Sequence, residues 1–281
     1  MNDQQPPLSR DAAAPLAAEA VDIARRAGKL LRRLFDEPRS VDYKGRIDLV
    51  TDADRASEEL VLELLAQRFA DHEVLAEETA GGRVPRPDPC PPYLWVIDPL
   101  DGTTNYAHGL PVFCVSVGLL VEGRPAVGAV YDPLRDEMFH GGRGLGAFLN
   151  EEPIRVSRQV GLRRALLATG FPYDLATSSN NNLDNFTRFS YCTQALRRMG
   201  SAALDLCYVA CGRFDGFWEL KLYPWDTTAA ASFITEAGGV ISDFSGRGYD
   251  PFGLEVLACN GLIFDQMTAV IREESPPGED A

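Results

Sequence analysis

The chain of 281 residues carries a formal net charge of −14, with 45% hydrophobic and 24% charged residues. That length supports one large domain or two small ones around a sizeable core, and the composition is that of an ordinary globular protein. The acidity, with a pI of about 4.7, argues against nucleic acid as the main partner, because such binding rests on Lys and Arg neutralising phosphates.

Residues 1–15 are polar and Pro-containing, with no basic stretch leading into an apolar one. They read as a disordered tail rather than a signal peptide, and no apolar run is long enough to cross a bilayer, so the expected location is cytoplasmic. Residues 16–34 place Leu16, Ala20, Ile23, Ala24, Ala27, Leu31 and Leu34 at helical spacing. Residues 55–69 give a second amphipathic helix with Leu60, Leu64 and Leu65 on its buried face. The polar segment between them, 41–54, suits a hairpin. A short strand at 74–76 ends in Glu77-Glu78, and the Pro-rich 81–92 is a surface loop. An apolar strand at 94–97 then runs into Asp98.

Strands at 112–121 and 125–131 are joined by Glu122-Gly123-Arg124 as a hairpin. The glycine run at 141–146 lacks the helix start and the Lys-Ser/Thr ending of a nucleotide loop and reads as turns. A strand at 165–169 precedes a polar loop at 176–185. Residues 193–210 read as one helix with Met199, Ala203, Leu206 and Ala210 inward. A strand at 214–220 follows, then a helix at 226–237 stopped by Gly238-Gly239. Short strands at 240–241 and 256–258 precede a last helix at 263–271 and an acidic, Pro-rich tail at 273–281 that reads as disordered. Helices and strands mix throughout, giving an α/β or α+β chain. The six cysteines include no Cys-x-x-Cys pair and read as reduced, mostly buried apolar residues.

The most informative stretch is residues 95–106. Asp98 and Asp101 lie close together at a strand end, and the backbone N–H groups of Gly102 and Thr103 follow at once. Two hard oxygen anions suit Mg²⁺, and free N–H groups at a helix start suit a phosphate. Alone, Asp-Pro-Leu-Asp-Gly is a turn and Asp before a helix an ordinary N-cap. Three further acids sit at element ends: Glu77, Asp226 after Pro224-Trp225, and Asp54 after Thr51-Asp52-Ala53. By itself each reads as surface charge or a cap. Glu77, Asp98, Asp101 and Asp226 could not all ionise in one cleft without cations, because close like charges raise each other's pKa. Two metal ions bridged by Asp98 would remove that conflict and suit in-line displacement at phosphorus. Other chemistries fare worse: there are three histidines, no Gly-x-Ser-x-Gly elbow and no His-Glu-x-x-His.

Together these segments resemble the inositol monophosphatase family of Mg²⁺-dependent, lithium-sensitive sugar phosphatases, in its bacterial inositol-1-monophosphatase-like branch. Three signatures carry the match: Glu77-Glu78-Thr79; residues 95–106; and Trp225-Asp226-Thr227-Thr228-Ala229 continuing to Ile234-Thr235-Glu236-Ala237-Gly238-Gly239. Residues 170–174, Gly200-Ser201-Ala202-Ala203 and Ala258-Cys259-Asn260-Gly261 add support.

The resemblance implies a layered αβαβα sandwich of the inositol monophosphatase / fructose-1,6-bisphosphatase type. It implies a single catalytic domain over 16–272, its halves dividing near residue 150, and a homodimer. It places Glu77, Asp98 and the Leu100 carbonyl on a first metal, and Asp98, Asp101 and Asp226 on a second, with two or three Mg²⁺ per site. Glu77, Thr103 and Asp54 become the catalytic set, Thr103 supported by Asp54 orienting the attacking water. Gly102 and Thr103 amides would hold the phosphate; Gly200, Ala202, Glu219, Asp101 and Asp226 would meet the alcohol. The family has Gly where this chain has Ala76, and a need for positive φ there would displace Glu77.

The expected substrate is a small phosphorylated sugar or polyol, first of all myo-inositol 1-phosphate. Histidinol phosphate, fructose 1,6-bisphosphate and 3′-phosphoadenosine 5′-phosphate are the alternatives from related branches. Some bacterial members also act in transcription antitermination; the acidic charge here disfavours direct RNA contact and leaves a protein partner as an additional role.

Overall fold

Alternate residues of the strand Cys114–Val121 are buried against different partners, and that division organises the molecule. The computed structural model describes residues 8–37, 41–43, 49–82 and 85–273. Its elements run α1 (Arg10–Phe35), β1 (Val41–Tyr43), β2 (Leu49–Thr51), α2 (Asp52–Arg68), β3 (Glu73–Ala76), α3 (Glu77–Ala80), β4 (Tyr93–Asp101), α4 (Thr103–Ala107), β5 (Cys114–Val121), β6 (Arg124–Asp132), β7 (Glu137–Gly142), β8 (Gly146–Leu149) and β9 (Glu152–Pro153). The second half continues with β10 (Leu166–Thr169), α5 (Leu183–Cys192), β11 (Ala195–Arg197), α6 (Ala202–Ala210), β12 (Gly216–Leu220), α7 (Pro224–Ile234), β13 (Val240–Ser242), β14 (Glu255–Cys259) and α8 (Phe264–Ile271).

Strands β3 to β9 form one sheet in sequence order, antiparallel except for the parallel β3–β4 pair. The second sheet has the order β11-β10-β12-β14-β13. Val115, Val117 and Leu119 of β5 pack with Ile23, Ala27 and Leu31 of α1 and with Leu64 and Leu65 of α2. On the opposite face Cys114, Val130 and Phe139 pack with Ala229 and Phe233 of α7 and Leu206 of α6. Ala168, Phe217 and Ala258 of the smaller sheet close the other side of that helical layer. Their neighbours Leu167, Trp218 and Leu257 turn outward onto Phe189 of α5 and Met267 of α8. Period-2 side chains thus give each sheet two apolar faces, and the result is the αβαβα sandwich.

The middle helical layer sits unusually close to the larger sheet. A Cβ on Gly118 would lie 2.8 Å from the Ala229 amide, and one on Gly128 would lie 2.2 Å from the Ala229 carbonyl oxygen. Glycines on the strands facing alanines on α7 let backbone meet backbone, which fixes the depth at which the start of α7 enters the site.

Several boundaries differ from the sequence reading. Helix α1 begins at Arg10 instead of residue 16, because the Ser9 hydroxyl accepts the Ala12 amide and Ala13 is buried in the core; Pro15 removes one amide donor without ending the helix. The expected tail therefore shrinks, and residues 1–7 and 274–281 lie outside the described residues. Strands β1 and β2 pair antiparallel, as a hairpin would, although 44–48 lie outside the described residues.

The supposed helix over 193–210 is two elements. Gly200 has φ +81, and Ser201 then caps α6 through its hydroxyl, so only Ala202 onward is helical and Ala195–Arg197 joins the sheet. The polar loop at 176–185 gives way to α5, whose Phe189 is held by tertiary packing against Trp218. The glycine run 141–146 forms the expected turn between β7 and β8.

Gly128→Ala should lower the unfolding free energy by about 1–3 kcal/mol or more through overpacking. Gly248→Ala, where an added Cβ meets nothing within 4 Å, should stay within about 1 kcal/mol of wild type. Denaturant titration of the two variants checks the contrast.

Candidate active site

Parallel pairing of β3 with β4 matches Ala76 to Ile97, so the next residues, Glu77 just past the end of β3 and Asp98 within β4, stand side by side. Ala76 is extended, with φ −121 and ψ 145. A methyl there is unstrained, and the absence of Gly does not displace Glu77. The turn that starts at Glu77 is pinned from α2, where Glu58 accepts the Glu78 amide at 2.8 Å and the Thr79 hydroxyl at 2.5 Å.

The strand does not stop at Asp98 but continues through a bulge. Asp98 pairs with Ser116 and Asp101 with Cys114. Those partners are two apart on β5, so the bulge brings both aspartates to the same face. Asp98 Oδ1 accepts the Leu100 amide at 2.9 Å, and the Ser57 hydroxyl donates to the Pro99 carbonyl at 2.7 Å. Gly102 turns with φ +97, and a Cβ there would lie 2.9 Å from the Val112 carbonyl oxygen. Thr103 opens α4, its hydroxyl 2.8 Å from Asp54 Oδ1 and 3.0 Å from the Leu100 carbonyl. Asp54 is not an N-cap. It is the third residue of α2, whose cap is Thr51, and its Oδ2 accepts the Thr51 amide and hydroxyl.

The second half of the chain closes the site. Asp101 Oδ2 accepts the Ser201 hydroxyl at 2.7 Å and the Ala203 amide at 2.8 Å, at the start of α6. Asn105 ties the same loop to the turn before α6, donating to the Met199 carbonyl. Asp226 is also no N-cap: it stands third in α7 and accepts the Tyr223 amide at 2.7 Å. Glu219 of β12 approaches the chain where Gly170 leaves room, because a Cβ on Gly170 would lie 2.1 Å from its carboxylate. Glu77, Asp98, Leu100, Asp101, Gly102, Thr103, Gly200, Ala202, Glu219 and Asp226 all line one cavity of about 350 Å³, with Asp54 behind Thr103.

A sequence profile described as the inositol monophosphatase family matches residues 12–276. The chain belongs to the inositol monophosphatase family. Members of this family are hydrolases of phosphomonoesters, and the chain is one of them. It is 44% identical to an inositol-1-monophosphatase of Synechocystis over 90% of this chain and 87% of that protein. It is 40% identical to the Nus factor SuhB of Escherichia coli over 92% of this chain and 97% of that one. The solved inositol monophosphatase from Anabaena (Nostoc) superposes with a TM-score of 0.83 at 42% identity, covering 94% of this chain and 98% of that one.

The family's acids are crowded in this member. Burial, then the charges of Glu77, Asp101 and Asp226, push the Asp98 carboxyl well above the usual range. Asp226 is raised well above it by burial, Asp101 and Glu77, and burial with Asp101 raises Glu219 to about 8. Among the described residues no group of three or more His, Cys, Asp or Glu side chains is arranged, as it stands, to hold a metal ion. Asp98, Asp101 and Asp226 each have one oxygen held by the fold, and their second oxygens are in none of those bonds. A set of hard carboxylate oxygens whose mutual repulsion a bound cation would relieve fits a divalent ion.

Motif reading gave Ser201, Gly170 and Asp205 no part in this cavity; Ser201 and Gly170 were visible only as letters of supporting motifs. Without divalent cations, Asp98→Asn should raise the melting temperature, by about 0.5–2 kcal/mol in stability, because it removes a repelled charge while its Oδ1 still accepts the Leu100 amide. Calorimetry of metal-free protein measures this.

Proposed function

We propose that the protein hydrolyses the phosphomonoester of a small polyol, first of all myo-inositol 1-phosphate, with two or three Mg²⁺ bound at the carboxylate cluster. The observation that carries this reading is the meeting of Glu77, Asp98, Asp101 and Asp226, from four separate segments, on one cavity beside Gly102 and Thr103. On this reading Glu77, Asp98 and the Leu100 carbonyl hold one cation, and Asp98, Asp101 and Asp226 a second. Bound Mg²⁺ supplies the charge that offsets carboxylates and phosphate and lowers the pKa of the attacking water.

The chain's own groups do the positioning. With its proton directed to Asp54, the Thr103 hydroxyl offers its lone pairs to a water and orients it for attack. The Gly102 and Thr103 amides meet the phosphate oxygens. Gly200, Ala202 and Glu219, with Asp101 and Asp226, face the alcohol portion. Attack by water in line with the leaving oxygen splits the P–O bond, and the alkoxide takes a proton to leave as the alcohol. Orientation and fixed charge provide most of the acceleration. The same reading makes the enzyme a lithium-sensitive, cytoplasmic homodimer.

The relatives named Nus factor SuhB favour a second role, in transcription, and the net charge of −14 points to a protein partner for it. Capture of the same partner by wild type and by Asp226→Asn would separate that role from catalysis.

Phosphate release should depend on Mg²⁺ and should be fastest with myo-inositol 1-phosphate in a panel that includes histidinol phosphate, fructose 1,6-bisphosphate and 3′-phosphoadenosine 5′-phosphate. Asp101→Asn and Asp226→Asn should each lose on the order of 10²-fold or more in kcat/KM while melting cooperatively. Wild-type turnover in either would overturn the assignment. Thr103→Ser, which keeps the hydroxyl, should retain far more kcat than Thr103→Val.

A further inference from the structure

Asp205 is the anomaly of the cavity. It lies in the first turns of α6, is 2% exposed, and lines the same space as Glu219, Ser201 and Ala202. Its carboxylate has no hydrogen bond to the protein, and its Oδ1 is the one fully buried side-chain oxygen or nitrogen without a partner among the described residues. The two other acids on the cavity wall that are as deeply buried have donors: Asp98 the Leu100 amide, Asp101 the Ser201 hydroxyl and Ala203 amide. Leaving a buried carboxylate without a donor is costly. Asp205 lines the cavity, so a donor that enters can serve the carboxylate oxygen that is not sealed off.

The geometry points to Asp205 as a specificity residue that accepts a hydrogen bond from a hydroxyl of the substrate's alcohol portion. This rests on the phosphatase reading above and adds to it a residue that no motif singled out. The distribution of charge favours a hydroxyl over an ammonium group. Arg198, also on the cavity wall, already acts electrostatically on both Asp205 and Glu219. What Asp205 lacks is a donor, more than a counter-charge. Burial with the Glu219 and Asp101 charges pushes its carboxyl well above the usual range, and a donor arriving with the substrate restores the ionised form. Polyol esters bring several such donors; a phenyl ester brings none on the leaving group.

The test compares wild type, Asp205→Ala and Asp205→Asn on myo-inositol 1-phosphate, phenyl phosphate and ethanolamine phosphate. The readout is selectivity, the ratio of kcat/KM for the polyol ester to that for the phenyl ester, with KM and kcat taken separately. Asp205→Ala should lower that ratio on the order of 10-fold to 100-fold, mainly through KM. Asp205→Asn, which keeps an acceptor oxygen, should restore much of it. A ratio within twofold of wild type in Asp205→Ala, from equal losses or from none, would overturn the proposal. A larger loss for the ethanolamine ester than for the polyol would overturn the choice of a hydroxyl. The rise in melting temperature on adding each ester makes the same comparison without turnover. If wild type hydrolysed none of them, the phosphatase reading would fall, and the melting shifts would still decide for or against Asp205.

Discussion

Like charges confined together must be held there, and the architecture of this protein follows from how it holds its acids. Two carboxylates ~5 Å apart repel by about 3 kcal/mol at an effective dielectric of ~20, while one hydrogen bond to a charged group returns about 1.5–3 kcal/mol. One donor is therefore roughly matched by one like-charged neighbour. Asp101, with the Ser201 hydroxyl and the Ala203 amide, is better compensated than Asp98, which has the Leu100 amide and three acidic neighbours. The sheet, the bulge and two helix starts keep the acids in place until cations arrive. Stability is given up locally for a site that is ready to bind.

The tight contact between α7 and the larger sheet serves the same end. Glycines at 118 and 128 let the Ala229 backbone settle against the strands, which brings Asp226 to the level at which β4 delivers Asp98 and Asp101. From the other side, α6 presents its first amides to Asp101. The layer between the sheets thus carries Asp226 and grips Asp101. On the proposed reading, the substrate's alcohol would face the wall formed by Glu219, Gly170 and Asp205, and the unmatched carboxylate would make hydroxyl placement part of recognition.

Local sequence signals were reliable where a residue's own neighbours decide its conformation. The Gly141–Gly146 turn and the amphipathic repeats of α1 and α2 are of this kind. They failed where packing overrode the pattern. Residues 193–210 carry a continuous helical period, yet the positive φ of Gly200 and the cap at Ser201 break it. The start of helix α5 was read as part of the polar loop before it, and its Phe189 packs against Trp218. Asp54 and Asp226 were read as caps. Each is in fact the third residue of its helix, bonded back to the residue before the helix, a distinction of one turn that spacing alone does not resolve.

By itself the sequence determined the family and the layered fold and singled out the acids, because those reside in short motifs whose chemistry is local: two aspartates three apart after an apolar strand, a Glu at a strand end, an Asp in the first turn of a helix. The tertiary structure decided which of their oxygens are held, by which amides, and that Asp205 has no donor. Those outcomes depend on where β4, α6 and α7 come to rest against one another, and that is set by packing across the layers.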